Sequence, residues 1–191
     1  AGMFSGALVA LVFAIAVIKF EADQVVAGFA ITMLMFGLPA VISSRLYDAS
    51  GATKQIDKAY LLPEIVIGLP WVAILALALV PLVWYILYKT PFGLRLRAVG
   101  ENPSAADSAG VNVYKLRYTA VIISGILAAA GGAYLSIGQG SFFTKGMSAG
   151  RGYIALAALI LAKWKPIPVL LACLFFGFTE SLAIQLQGVV K

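Results

Sequence analysis

The sequence has no histidine and a single cysteine in 191 residues. Without imidazole the chain lacks the commonest general base and the commonest metal ligand. Cys173, set inside an apolar run, can build neither a disulfide framework nor a thiolate metal site by itself. An intramembrane enzyme, which needs a metal cluster or a nucleophile with its base, is therefore excluded, while the redox compartment stays open. Charge is scarce as well: only 12% of residues are Asp, Glu, Lys or Arg. The formal net charge of +6 gathers at loop ends and forms no basic stripe interleaved with aromatics, which excludes nucleic acid as a partner. Also missing is any Gly-x-x-x-x-Gly-Lys-Ser/Thr loop. The sequence thus offers no cradle for a nucleotide phosphate, and neither a cofactor nor a metal is expected.

What the chain does have is apolar length. Hydrophobic residues make up 62% of it and the mean hydropathy is +0.98, too apolar for one soluble core. Apolar stretches fall at Met3 to Ile18, Val25 to Ile42, Ile65 to Tyr88, Tyr118 to Gly138, Tyr153 to Ala162 and Ile167 to Leu186. Most of these approach the roughly 20 residues that a spanning helix needs. The fifth is too short and is expected to be a half-span or a helix buried among others. Pro81, inside the third stretch, is expected to kink it. The sequence opens Ala1-Gly2-Met3 and enters an apolar run at once, with no basic leader region. The expectation is one transmembrane domain over 1–191, a fragment whose N-terminal portion is missing. Its fold class is all-α: a polytopic transmembrane helical bundle in contact with membrane lipid.

One long polar segment interrupts the pattern. Residues 89–118 carry Lys89, Arg95, Arg97, Lys115 and Arg117 against Glu101 and Asp107, so the positive-inside rule places them in the cytoplasm. Within it, Glu101 to Val111 reads as a short surface helix. Asn102 is the cap, Pro103 the first helical position, and Gly110 the stop. Small residues at Ala105, Ala106 and Ala109 let a partner come close, with Arg97 and Glu101 as orienting charges. Alternation then makes Ser43 to Glu64 external, where Arg45, Lys54 and Lys58 balance Asp48, Asp57 and Glu64.

An internal repeat appears when Ser5-Gly6-Ala7-Leu8-Val9-Ala10 is laid over Ser124-Gly125-Ile126-Leu127-Ala128-Ala129. Each copy opens an apolar run that ends in a break, Lys19 to Ala27 and Gly138 to Arg151, followed by glycine, an aromatic and a new helix. With three helices between them, the copies take opposite orientations. That arrangement is an inverted-topology repeat with broken or short helices.

The run from Phe92 to Ala106, FGLRLRAVGENPSAA, followed by Ser108-Ala109-Gly110-Val111-Asn112-Val113, closely resembles the cytoplasmic coupling segment of ABC-importer permeases. The subgroup is that of simple-sugar, nucleoside and branched-chain amino-acid permeases. Asp23 to Thr32 (DQVVAGFAIT) and Gly146 to Ala157 (GMSAGRGYIALA) are similar to the same family, and the Gln-Val-Val form favours its sugar and nucleoside branch. The resemblance covers nearly the whole chain. It implies a multi-pass permease of the prokaryotic inner membrane that moves a nucleoside or simple sugar by alternating access. The implied partners are a second permease subunit (the same or different), two cytoplasmic ATP-binding subunits that bind and hydrolyse ATP, and an external substrate-binding lipoprotein. The coupling segment would comprise Arg97, Gly100, Glu101, Asn102, Pro103, Ala105, Ala106 and Gly110.

The two breaks are the candidate walls of the route, with Gln24, Gly28 and Phe29 from the first and Phe142, Met147, Ser148, Gly150, Arg151, Gly152 and Tyr153 from the second. Arg151 admits two readings, pathway lining or an interfacial anchor, and the aromatics could stack on a ligand or form an interfacial belt. Glu180, the one acid inside an apolar run, either lines the pathway or is satisfied structurally near its helix end. Lys163-Trp164-Lys165-Pro166 reads as an interfacial clamp. An ion- or proton-coupled secondary transporter is the alternative, with Glu180 as a meagre supply of coupling groups.

Overall fold

The computed structural model describes residues 2–47, 64–66, 69–139, 142–144 and 146–189. Lys54, Lys58, Asp48 and Asp57 of the charge-balanced loop lie outside the described residues. Among the described residues eight α-helices follow one another: α1 (Gly2–Ala14), α2 (Gln24–Tyr47), α3 (Trp71–Lys89), α4 (Pro91–Glu101), α5 (Pro103–Ser108), α6 (Val113–Tyr134), α7 (Arg151–Leu161) and α8 (Pro166–Val189). Five helical stretches among the described residues are long and apolar enough to cross a membrane: Gly2–Lys19, Gln24–Arg45, Val72–Lys89, Val113–Gly138 and Pro166–Gln187. This is a multi-pass membrane protein of the all-α class, and α7 is the shorter apolar helix expected from its stretch of sequence.

Several boundaries differ from the sequence reading, each for a local reason. The third stretch begins helical only at Trp71. Ahead of it, Glu64–Val66 and Leu69–Pro70 form a small antiparallel pair, because a residue before proline is steered out of the helical region. Pro81 and Pro39 lie inside α3 and α2, and both helices continue past them. The α2 helix outruns its apolar stretch because Ser43 and Ser44 return their hydroxyls to the carbonyls of Ala40 (3.1 Å) and Val41 (2.9 Å). Bonding back to the helix in this way hides their polarity. The α6 helix starts at Val113, five residues before its stretch, since Asn112 accepts the Lys115 N–H at 3.0 Å and caps it.

The two repeat copies pack on each other. A Cβ placed on Gly6 would collide with the Ala129 side chain and come within 2.7 Å of the Gly125 carbonyl oxygen. One placed on Gly125 would collide with Ala10 and come within 2.9 Å of the Gly6 oxygen. A Cβ placed on Gly2 would meet the Ala133 Cβ at 3.7 Å, so residue numbers run oppositely along the pair. The contact is antiparallel and reciprocal, as inverted copies about a local two-fold require, and the glycines let the two backbones nearly touch. Both runs then loosen into a five-residue π turn, Ile15–Lys19 after α1 and Leu135–Gln139 after α6. Such turns insert an extra residue into the ladder and mark places where helices are interrupted for use.

Elsewhere the contacts are also made by small residues. Ala158, Ala162 and Ala172 are buried in the α7 and α8 region, and no large side chain among the described residues is fully buried. Phe4, Met33, Phe175 and Phe178 are all more than half exposed, as expected where the outer solvent is apolar and burial brings helices no hydrophobic gain. Cys173 is likewise exposed on α8, so lipid or a neighbour must cover it. The α7–α8 turn is tight: Lys163 (φ 50°) and Trp164 (φ 61°) both sit in the left-handed region.

Candidate functional site

The polar segment forms a rigid corner of three capped helix starts. Thr90 ends α3 by donating its hydroxyl to the Ile86 carbonyl at 2.5 Å and opens α4 by accepting the Gly93 N–H at 3.3 Å. Gly93 lies so close to the end of α3 that an added Cβ would overlap the carbonyl oxygens of Ile86 and Leu87 and sit 2.5 Å from the Leu87 Cα. The Arg97 guanidinium lies 4.6 Å from the centre of the Tyr88 ring, which itself stacks on Trp84. Asn102 has two duties. Its N–H closes α4 on the Ala98 carbonyl (3.0 Å), and its side chain opens α5 by accepting the Ala105 N–H (3.1 Å). Gly110, with φ at 81°, then takes the left-handed turn that ends α5.

The small residues of α5 divide between two faces. Ala106 is buried with Val99 of α4 and Val113 of α6, and Val111 and Leu116 pack around them. Its size serves this chain's own packing, leaving Ala105 and Ala109 on the open face with Glu101, Asn102 and Gly110. Arg97 and Gly100 are exposed on α4, and Pro103 is half-buried.

A cavity of about 970 Å³ lies along the α1–α6 crossing. Gly6, Ala10, Gly125 and Ala129 form one wall, and Ile31, Met35 and Pro39 of α2 another. The segment before α7 supplies Phe143, Gly146, Met147 and Ser148. The lining is mainly apolar with a few hydroxyls and backbone groups, Ser5, Ser124, Ser136 and Ser148 among them.

Of the residues expected on the route, Gly28, Met147 and Ser148 line this cavity. Gln24 does not. It lines a second, more polar cleft of about 740 Å³, between the first break and the polar corner, with Glu21, Asp23, Pro103, Ser104, Asp107 and Arg117. Asp23 caps α2 there, accepting the N–H groups of Val25 (2.8 Å) and Val26 (3.1 Å). Phe29 and Tyr153 are well exposed, Phe142 less so, and none of the three lines the cavity. Gly150 and Gly152 lie outside it as well. Arg151 and Glu180 meet each other: Nη2 and Nε of the arginine donate to Oε1 of the glutamate at 3.0 and 3.3 Å. Sequence reasoning named both residues without joining them, because they come from different helices, and it missed the α2 wall, whose Ile31, Met35 and Pro39 look like ordinary apolar positions.

Antiparallel repeats around a small-residue crossing, broken helices beside a chamber and a capped polar corner define a solute-permease architecture. The chain belongs to the family described as "Branched-chain amino acid transport system / permease component", whose match covers residues 1–190.

Relatives at the level of single proteins include nucleoside and sugar permeases. The guanosine ABC transporter permease protein NupQ of Bacillus subtilis is 44% identical over 196 residues, covering 96% of this chain and 61% of that protein. The nucleoside ABC transporter permease protein NupC of Lactococcus lactis is 35% identical, covering 98% and 64%. The putative glucose ABC transporter permease protein TsgC13 of Haloferax volcanii is 36% identical, covering 98% and 60%. The chain thus spans about three fifths of the length of these relatives. No solved structure matches it.

Proposed function

We propose that the chain is the translocating part of a permease subunit of an ATP-driven importer in a prokaryotic inner membrane, carrying a nucleoside or simple sugar by alternating access. The observation that carries this reading is the polar corner. It is clamped to α3 through Thr90, Gly93 and Arg97 and to α6 through Ala106, yet it leaves Ala105 and Ala109 open to a partner. A rigid corner of that kind transmits force. The partner on its open face is one of two cytoplasmic ATP-binding subunits, which bind and hydrolyse ATP, and this chain breaks no bond. A second permease subunit completes the pair, and an external lipoprotein delivers the solute.

The route for force runs through the cleft where α5 faces the first break. Displacement of Pro103 to Asp107 reaches Glu21 to Val25, and with them the junction of α1 and α2. The chamber along α1 and α6 is where that movement acts on the solute. Guanosine, the solute in the name of NupQ, is the first candidate, and a hexose, after TsgC13, is the second. The ion-coupled alternative needs a free intramembrane acid, and Glu180 is already engaged by Arg151.

The test is uptake by right-side-out proteoliposomes holding the full-length permease with its partners, with ATP enclosed and the lipoprotein outside. Radiolabelled guanosine and glucose should enter only with ATP. Ala105→Arg should abolish ATP-driven uptake while leaving the protein folded and inserted. Uptake that ignores ATP and collapses with an ionophore, or labelling of a cysteine at position 105 from the outer side of intact cells, would overturn the assignment.

A further inference from the structure

We infer that the Arg151–Glu180 ion pair is a positioning device that holds one wall of the transport chamber in place and makes no contact with the solute. The inference rests on the chamber's proposed role in transport for its meaning, but not for its geometry. Neither side chain lines the chamber, whereas Gly146, Met147 and Ser148, just ahead of Arg151, do. That wall has no helix to stiffen it. It is a run of single turns, with Met147 N–H bonded to Thr144 O (3.2 Å), Ala149 N–H to Gly146 O (2.9 Å) and Arg151 N–H to Ser148 O (2.8 Å). Gly146, Ala149 and Gly150 all take left-handed φ values, of 79°, 45° and 80°. Such a segment keeps its shape only if its ends are fixed. At one end Arg151 is fixed twice, as the first residue of α7 and as the donor to Glu180 of α8.

Depth strengthens the case. At 1.5 Å per residue, Arg151 stands about 15 Å from Leu161 and Glu180 about 21 Å from Pro166, so the two meet at a similar height above the Lys163–Trp164 turn. With that turn at the lipid interface, the pair lies well inside a hydrocarbon layer roughly 30 Å thick. A lone charge there is costly, so each side chain is committed to the other far more strongly than a pair in water would be. The side chains are 36% and 43% exposed in this chain.

The test uses the full-length permease with its partners in a cysteine-free background that includes Cys173→Ser, so that one introduced thiol reports alone. Ser148→Cys is placed in the wall, and its labelling by a water-soluble maleimide is timed in Arg151→Glu, Glu180→Arg, and the double charge exchange. Each single change should alter the labelling rate at least fivefold, and the exchange should bring it back to within about twofold of the parent. In parallel, ATP-driven guanosine uptake per folded transporter should fall at least tenfold in the single variants, with a raised KM, and recover in the exchange. If the exchange behaves no better than the singles, or if the singles lose only folded protein with labelling and KM unchanged, the positioning role is overturned. Failure of the parent to take up either solute with ATP would strike the proposed function alone, because the labelling comparison stands without transport.

Discussion

Gly93→Ala separates two opposed effects of one methyl group. In a free helix the change stabilises by up to about 1 kcal/mol, since alanine is the better helix former. Here the added Cβ would sit 2.5 Å from the Leu87 Cα and overlap the carbonyls of Ile86 and Leu87, all of them backbone atoms that no rotamer change can move aside. Carbon atoms settle about 3.5–4.0 Å apart, so α4 must retreat from α3 by about 1 Å. Overpacking of this kind costs about 1–3 kcal/mol. The retreat also loosens the Thr90 cap, which contributes about 1 kcal/mol, and the Arg97 contact with Tyr88, which contributes roughly 0.5–1 kcal/mol. The clash wins by about 2–3 kcal/mol, equivalent to roughly a 30- to 150-fold change in an equilibrium constant. The assay is thermal melting of the purified full-length complex, with co-purification of the ATP-binding subunits and ATP-driven uptake in proteoliposomes. Gly93→Ala should melt earlier and couple poorly. Gly177→Ala, the same change where a Cβ meets nothing within 4 Å, should do neither. Indistinguishable behaviour of the two variants would refute the argument that α4 is wedged against the end of α3.

Three further outcomes follow from the packing. Ala106→Leu, forced between Val99 and Val113, should lower stability by about 1–3 kcal/mol, while Ala105→Leu on the open face should leave melting within about 0.5 kcal/mol and weaken only the capture of the ATP-binding subunits in a pull-down. Gly125→Val should abolish folded yield on size-exclusion chromatography because it strikes the Gly6 backbone, whereas Gly131→Val, facing open space in the same helix, should be tolerated. Lys163→Gly relieves a left-handed residue in the α7–α8 turn, worth about 1 kcal/mol, and should raise the melting temperature by about 2–4 °C.

Much of this architecture was legible because membrane helices and caps obey local rules. Apolar length located every spanning stretch, and Asn102, Pro103 and Gly110 marked the start and end of α5. The same rule, applied to Thr90 and Pro91, would have found α4, and Asn112 would have moved the start of α6. The repeat was visible as a thin match of small residues, and the reciprocal contacts of Gly6 and Gly125 show what those residues are for. Other features had no sequence signature. A π turn leaves no pattern in Ile15 to Lys19, the inward facing of Ala106 depends on two other helices, and the meeting of Arg151 with Glu180 depends on how a hairpin closes. The sequence reads the two breaks alike, as candidate walls of one route. Only the fold shows Gln24 beside the polar corner while Gly28 faces the chamber.

The reciprocal crossing of the first and sixth helices has a mechanical consequence. In the proposed transport cycle, two rods whose contact serves both alike would rock about it like a seesaw: what spreads them at one end draws them together at the other. At the centre of that contact stand only glycine backbone and the methyl groups of Ala10 and Ala129, which have no rotamers to reshuffle as the two helices tip.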